Sequence, residues 1–113
     1  MTDDVRAVAR RMYEAFNAHD HAAAREIFTA DFHSHPLGTT GQESVTRAWQ
    51  RFHEAFPEAE VVVEDMVVEG DKAAVRTSVR GVPGQQPPTM LEIFRVRDGR
   101  IAELWGLSSL QRS

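Results

Sequence analysis

The spacing of apolar residues changes near residue 60, and this change constrains the fold more than any other feature of the chain. Before it, Val5, Val8, Met12 and Phe16 recur at intervals of three and four, which is the period of an amphipathic helix. From Glu60 onward, β-branched residues recur at a period of two, which is typical of strands. Helices followed by strands indicate an α+β domain.

The first half of the chain predicts three helices. The first spans about residues 3–18, and the second is a short helix that Asp20 caps and that ends near Ala30. A capping-box pattern beginning at Thr40 opens the third helix, which Pro57 ends.

The second half predicts four antiparallel strands in a meander, since two of its connections are tight two-residue turns, Gly70-Asp71 and Asp98-Gly99. The strands cover about residues 60–69, 72–82, 89–97 and 100–107. We therefore expect a cone-shaped, curved antiparallel sheet with the three N-terminal helices on its concave face. Because straight helices cannot follow a curved sheet along its whole length, a pocket is expected between the layers.

Size and composition narrow the classes of function. The chain has 113 residues, a net charge of −4 and no cysteine, so a single domain over residues 1–113 is expected, without disulfides, a thiolate nucleophile or a cysteine-based zinc site. Arg alternates with Glu and Asp, which argues against a nucleic-acid partner. An acidic N-terminus unlike a signal peptide and the lack of a long apolar run predict a cytoplasmic protein without a membrane span.

Several short motifs follow one another in a specific order and spacing. They lie at residues 16–21, 31–36, 56–57, 68–71, 75–76, 80–81 and 94–105. In this order they resemble the SnoaL-like polyketide cyclase family of the nuclear-transport-factor-2-like superfamily. The resemblance covers nearly the whole chain.

The resemblance implies a cone-shaped α+β barrel, a homodimer joined through the outer sheet face, and no cofactor. In well-known members the reaction is an intramolecular aldol cyclisation of a polyketide ester. The superfamily fold also occurs in ketosteroid isomerases, epoxide hydrolases, dehydratases and non-catalytic binding domains, so the resemblance implies a pocket more strongly than a reaction.

The chain departs from the family pattern at two places. The cyclases carry an acid/base Asp about four residues beyond the Trp of the last strand, where this chain has Ser108 or Ser109 after Trp105. A serine hydroxyl does not replace a carboxylate as a proton shuttle near neutral pH. The loop of residues 81–88 is also shorter than the family's glycine-rich lid, which favours an open pocket or a small ligand.

Two carboxylates are candidates for the missing acid/base group. Glu92 shares a strand face with Phe94 and, as the preferred substitute, is expected in the cavity; the alternative is an exposed Glu on the sheet. Glu103 alternates in phase with Ile101 and Trp105, which predicts an inward Glu103 and a cavity wall containing Trp105. Its alternative is an ion pair with an Arg at the rim.

His35 is the third catalytic candidate, because the resemblance places it at the base of the pocket, where an imidazole can polarise a carbonyl or relay a proton. A structural hydrogen bond is the alternative. His33 lies two residues before it and in phase with Asp31, a set that could ligate a metal. An isolated His-x-His pair is common by chance, so no metal is expected.

The remaining candidates are side chains that could contact a ligand: Tyr13, Trp49, Phe52, Arg76, Trp105 and Ser109. The rings could stack on a flat molecule or simply fill the core. Arg76 could stabilise an enolate or, on the outer face, bridge a dimer.

The resemblance and these candidate residues together imply a cofactor-free SnoaL-like cyclase or isomerase that acts by acid/base catalysis on an apolar, carbonyl-bearing small molecule. The first alternative is a non-catalytic binding or dimerisation module. The second is an epoxide hydrolase-like enzyme, which needs an inward Asp-Arg-Asp relay. A cavity carboxylate hydrogen-bonded to His or Tyr would favour the enzyme over the module.

Overall fold

The computed structural model describes residues 2–84 and 87–109. Helices precede most of the strands, in the order that the change of period predicts. The helical elements are α1 (Thr2–Asn17), a 3-10 turn (His21–Ala23), α2 (Ala24–Ile27) and α3 (Gln42–Ala55). The strands are β1 (Phe28–Ser34), β2 (Thr39–Thr40), β3 (Glu60–Glu69), β4 (Lys72–Arg80), β5 (Thr89–Arg97) and β6 (Arg100–Ser108).

The six strands form one curved sheet in the order β2-β1-β6-β5-β4-β3. The meander from β3 to β6 is antiparallel throughout, as predicted. Its last turn has positive φ at both central residues, 53° at Asp98 and 75° at Gly99, as a type I′ turn requires. The predicted α+β class, with three helices against a curved sheet, is confirmed.

The sheet is mixed rather than purely antiparallel, and this corrects the sequence-based expectation. Phe28, predicted on the apolar face of a helix ending near Ala30, begins β1, which runs parallel to β6. Phe28 and Phe32 are both 1% exposed, and their spacing of four suits a helix as well as this irregular strand. Pairing with β6 satisfies backbone groups along the strand, and such long-range pairing overrides the local pattern.

Neither predicted cap forms a side-chain capping bond. Asp20 is the N-cap residue of the 3-10 turn, as predicted, but its side chain makes no capping bond. Thr40 lies in β2 opposite His33, so its backbone belongs to the sheet. The N-cap of α3 is Gly41, and Ser44 Oγ donates a 2.7 Å hydrogen bond to the Gly41 carbonyl.

The core lies between α1 and the concave face of the sheet. Along β4, alternate residues are buried: Ala73, Val75, Thr77 and Val79. The apolar side of α1 covers this face with buried residues at positions 5, 9, 12 and 13. No helix in the described part of the chain is long and apolar enough to cross a membrane.

Thr77 is a polar residue inside this core, and its replacement by valine should stabilise the protein. Thr77 is fully buried, and its hydroxyl has no hydrogen-bond partner among the described residues. Because Thr77→Val exchanges an unsatisfied hydroxyl for a methyl group of similar size, the free energy of unfolding should rise by about 1 kcal/mol. Urea unfolding measures the change, and an unchanged or lowered value would contradict the prediction.

Candidate functional site

A cavity of about 280 Å³ lies between the helices and the concave face of the sheet. Its walls come from α1, α3, β1, β3, β5, β6 and the loop that follows β1. The lining residues are Met12, Tyr13, Phe16, Phe28, Phe32, Ser34, Pro36, Leu37, Val45, Ala48, Trp49, Phe52, Val61, Met90, Glu92, Leu104, Gly106, Leu107 and Ser108.

Aromatic rings form much of the wall, as the apolar faces of α1 and α3 meet here. Phe16 contacts Trp49 edge-on at 5.6 Å between ring centroids and Phe52 at the same distance. Phe28 packs against Trp49 at 6.0 Å. The structure thus places the predicted ligand contacts Tyr13, Trp49 and Phe52 in the lining. Contact with a ligand stays a prediction for all three.

Glu92 is the charged residue of this lining, and the alternation of β5 puts it there. Phe94, two residues on, is fully buried on the same face, while Leu91 and Ile93 on the opposite face are 54% and 43% exposed. The expected inward direction of Glu92 is therefore observed. The Tyr13 hydroxyl donates a 2.8 Å hydrogen bond to Glu92 Oε1.

Burial controls the protonation of this pair. It raises the pKa of Glu92 above the ordinary value of 4.5, and the hydrogen bond from Tyr13 partly opposes that rise. Burial also raises the pKa of the Tyr13 hydroxyl, and the neighbouring Glu92 raises it further. Tyr13 therefore keeps its proton and remains the donor, while Glu92 can exchange a proton nearer neutrality.

Removing the Tyr13 hydroxyl should raise the pKa of Glu92 further. The hydrogen bond favours the ionised carboxylate, so Tyr13→Phe leaves burial acting without that opposition. Titration of the Glu92 carboxyl carbon by ¹³C NMR should show a midpoint higher than in the wild-type protein. A midpoint that stays or falls would mean that Tyr13 does not stabilise the carboxylate.

Glu103 and Trp105 lie outside the cavity, contrary to the shared-face prediction. Arg95 pairs with Glu103 and Val96 with Ile101, so Ala102 is an extra residue in β6. Such a β-bulge reverses the phase of alternation. Ile101, before the bulge, is buried as predicted. Beyond the bulge, the side chains of Glu103 and Trp105 point to the face opposite to the one that regular alternation predicts.

Glu103 instead joins a polar cluster on the outer face of the sheet. It accepts hydrogen bonds from His35 Nε2 at 2.8 Å and from Arg95 Nε at 2.9 Å, and these bonds lower its pKa. The alternative interpretation of an ion pair with an Arg is the one observed. His35 stacks on Trp105 at 4.8 Å, so His35 is not at the base of the pocket.

Two further predicted contacts also lie away from the cavity. Arg76 forms an exposed ion pair with Asp65 at 2.6 Å on the outer face. Ser109 Oγ accepts a 2.8 Å hydrogen bond from the Thr89 backbone. Its neighbour Ser108 does line the cavity. The register of the sheet places these side chains apart, even where two of them are neighbours in the sequence.

The residues considered as metal ligands are engaged elsewhere. Asp31 accepts a 2.6 Å hydrogen bond from Arg97, and this bond is the largest cause of its lowered pKa. His33 lies 3.4 Å from the Thr40 hydroxyl. Within residues 2–84 and 87–109, no three ligating side chains are grouped so that they could hold a metal ion.

Sequence reasoning missed Gly106, which lies opposite Glu92 in the sheet and lines the cavity. The available signal was a glycine inside a strand pattern, which marks a bulge or a close approach of other atoms. It also missed the hydrogen bond between Tyr13 and Glu92, which are 79 residues apart. No local pattern encodes that pair.

Comparison with known proteins gives a family match for most of the chain. The family model described as a SnoaL-like domain matches residues 9–104. No curated protein sequence matches the chain.

Solved structures similar to this chain include two cyclase candidates. A candidate polyketide cyclase from Bacillus cereus has a TM-score of 0.84 and 28% identity, covering 94% of this chain and 74% of that one. IdmH from Streptomyces antibioticus, also a candidate polyketide cyclase, has a TM-score of 0.80 and 31% identity, covering 93% of this chain and 91% of its own. A candidate ketosteroid isomerase from Kribbella flavida shares the fold alone, with a TM-score of 0.81 and 18% identity over 99% of this chain and 82% of that one.

Proposed function

Because the chain belongs to the SnoaL-like domain family, we propose that it moves protons within an uncharged, apolar, carbonyl-bearing small molecule held in the cavity. The observation that carries this proposal is the 2.8 Å hydrogen bond from Tyr13 to Glu92 within a largely apolar lining. A carboxyl group with a raised pKa in an enclosed site suits general acid/base catalysis.

The proposed reaction uses Glu92 in both protonation states. The carboxylate removes a proton from the carbon next to the substrate carbonyl, which leaves an enolate and a neutral Glu92. The neutral acid then returns that proton to the enolate oxygen or to another carbon, giving an isomer. If the enolate carbon instead attacks a second carbonyl of the same molecule, a ring closes and Glu92 protonates the new alkoxide. Tyr13 holds the carboxyl group in place throughout.

The cavity favours this function over the two alternatives. Its carboxylate is hydrogen-bonded to a tyrosine and lies on the concave side of the sheet, which favours an enzyme over a binding module. An epoxide hydrolase-like relay needs two carboxylates and an arginine. Glu92 is the only charged side chain in the lining formed by the described residues, so this second alternative has no support.

A probe substrate for buried carboxylate bases tests the proposal. When a base removes the ring C–H proton of 5-nitrobenzisoxazole, the N–O bond breaks and a coloured cyanophenolate forms. The probe is uncharged, which suits the largely apolar lining. We expect turnover whose rate rises with pH through a midpoint above 4.5, equal to the midpoint of the Glu92 ¹³C titration. Turnover no faster than with free acetate, or a different midpoint, would contradict the proposal.

We also propose that two copies of the chain associate through the outer sheet face. Val67, Ala74, Ile93 and Trp105 are successive partners across four strands and form one row on that face. Val67 is 67% exposed and Ile93 is 43% exposed. Exposed apolar rows on a sheet are typical of interfaces, and a row facing its own copy about a twofold axis is self-complementary.

Charge placed in this row should separate the copies. We expect light scattering after gel filtration to give a dimer for the wild-type protein and a monomer for Ile93→Lys, since the new ammonium would be desolvated at the interface. Leu37→Lys is the control, because Leu37 is also exposed but belongs to the cavity mouth. A monomeric wild-type protein would contradict the proposal.

A further inference from the structure

Gly106 occupies a position in β6 where a glycine has no backbone reason to be. It lies in the interior of the strand, opposite Glu92. Its φ is not in the positive range that favours glycine, so any residue could adopt this conformation. A glycine inside a strand weakens that strand. A steric reason is therefore needed to explain why residue 106 has no side chain.

The space that a side chain on residue 106 would occupy lies beside the carboxyl group of Glu92. A Cβ atom on residue 106 would lie 3.3 Å from Glu92 Cγ, 3.3 Å from the carbonyl oxygen of Leu91 and 3.8 Å from Glu92 Oε2. The first two distances are tighter than most real contacts of a Cβ atom. The Leu91 carbonyl belongs to the sheet and cannot move freely, so an added methyl group would press on the Glu92 side chain.

The two oxygens of Glu92 have different surroundings. Oε1 accepts the hydrogen bond from Tyr13, and Oε2 is the oxygen near the open position at Gly106. Since Tyr13 is the donor to Oε1, the proton of the neutral acid belongs on Oε2. Both Gly106 and Glu92 line the cavity.

We propose that Gly106 is a specificity-determining residue: its missing side chain leaves the space in which the carbonyl oxygen of a ligand accepts a hydrogen bond from Oε2 of the protonated Glu92. This inference rests on the proposed function and adds to it the place of the carbonyl group.

A matched pair of ligands tests the inference. The probes are 2-acetylnaphthalene, a flat aromatic ketone, and 2-ethylnaphthalene, which has a similar outline without the carbonyl. Quenching of Trp49, which lines the cavity, reports binding in a Trp105→Phe background that removes the tryptophan on the outer face. At a pH below the midpoint of the Glu92 ¹³C titration, Oε2 carries the proton and can donate to the carbonyl. Because such a hydrogen bond is worth about a factor of ten in affinity, the parent protein should then bind the ketone about tenfold more tightly.

Gly106→Ala should abolish this preference while the circular dichroism spectrum stays that of the parent. Val45→Ile is the control, since it adds one methyl group to another part of the lining and should keep the tenfold preference. Retained preference in Gly106→Ala, or equal loss in Val45→Ile, would overturn the inference.

The Glu92→Gln variant separates this inference from the proposed function. The glutamine amide can still donate to a carbonyl but cannot exchange a proton. We expect it to keep ketone preference and to lose turnover of 5-nitrobenzisoxazole. If it retains turnover while Gly106→Ala loses the preference, the proposed function fails and the role of Gly106 stands. If it loses turnover while Gly106→Ala keeps the preference, the role of Gly106 fails alone.

Discussion

Replacing Glu92 by glutamine should slow the opening of 5-nitrobenzisoxazole by about 100-fold or more, because a positioned general base contributes about that factor. The amide has nearly the shape of the carboxyl group and can still pair with the Tyr13 hydroxyl, which lies 2.8 Å from Glu92 Oε1. Loss of rate therefore reports loss of the base rather than collapse of the cavity. Initial rates of cyanophenolate formation, measured above the pKa of Glu92, give the ratio.

The control is the same substitution on the other face of the sheet. Glu103→Gln removes a carboxylate that bonds to His35 and Arg95 outside the cavity. We expect its rate to stay within about twofold of the wild-type value, since Glu103 cannot reach a bound probe. A larger effect of Glu103→Gln than of Glu92→Gln would contradict the assignment of the base.

The fold class and the position of Glu92 could both be predicted because they depend on local periodicity. The change of period near Glu60 separates helices from strands. Phe94 marks the buried face of β5, and alternation then carries Glu92 to the same face. Because Glu92 and Phe94 are two residues apart on a regular strand, their side chains lie on the same face of the sheet.

The prediction for Glu103 and Trp105 failed because alternation holds only while a strand is regular. One extra residue at Ala102 reverses the phase of β6, and nothing in the residues around it distinguishes a bulge from a regular strand. His35 depends on the same register: His35 N donates to the Leu104 carbonyl at 2.9 Å, which brings its ring beside Glu103. An error of one residue therefore moved Glu103 and Trp105 to the other side of the sheet, and the pocket position that the resemblance implies for His35 fails at the same place.

A histidine cluster beside the cavity wall shows the other limit of sequence reasoning. His19 and His21 flank Asp20 in the sequence, and both stack with His53 of α3, at 3.7 and 5.0 Å between ring centroids. His21 Nε2 lies 2.7 Å from His53 Nδ1. His53 is only 6% exposed and also packs on Phe16 at 4.4 Å. More than 30 residues separate the two segments, so the contact follows from the packing of α3 against the end of α1.

This cluster should make the protein less stable in mild acid. Burial, with smaller contributions from His19 and His21, lowers the pKa of His53 from 6.5 to about 4. The unfolded chain therefore binds the proton that the folded chain excludes, and stability falls as the pH drops below 6.5 towards about 4. Between about pH 7.5 and about pH 5, His53 should account for a loss of about 2 kcal/mol in the free energy of unfolding.

A variant without a titratable group at position 53 separates the contribution of His53 to the pH dependence of stability from the contributions of the carboxylates. His53→Asn keeps a polar atom near the position of Nδ1 for His21, so its stability should fall about 2 kcal/mol less over the same interval of pH. Urea unfolding at the two pH values gives both differences. His33→Asn is the matched control, because His33 contacts Thr40 and His35 rather than the cluster, and it should lose as much stability as the wild-type protein over this interval. If His53→Asn loses as much stability as the wild-type protein between these pH values, His53 is not the cause of the sensitivity to acid.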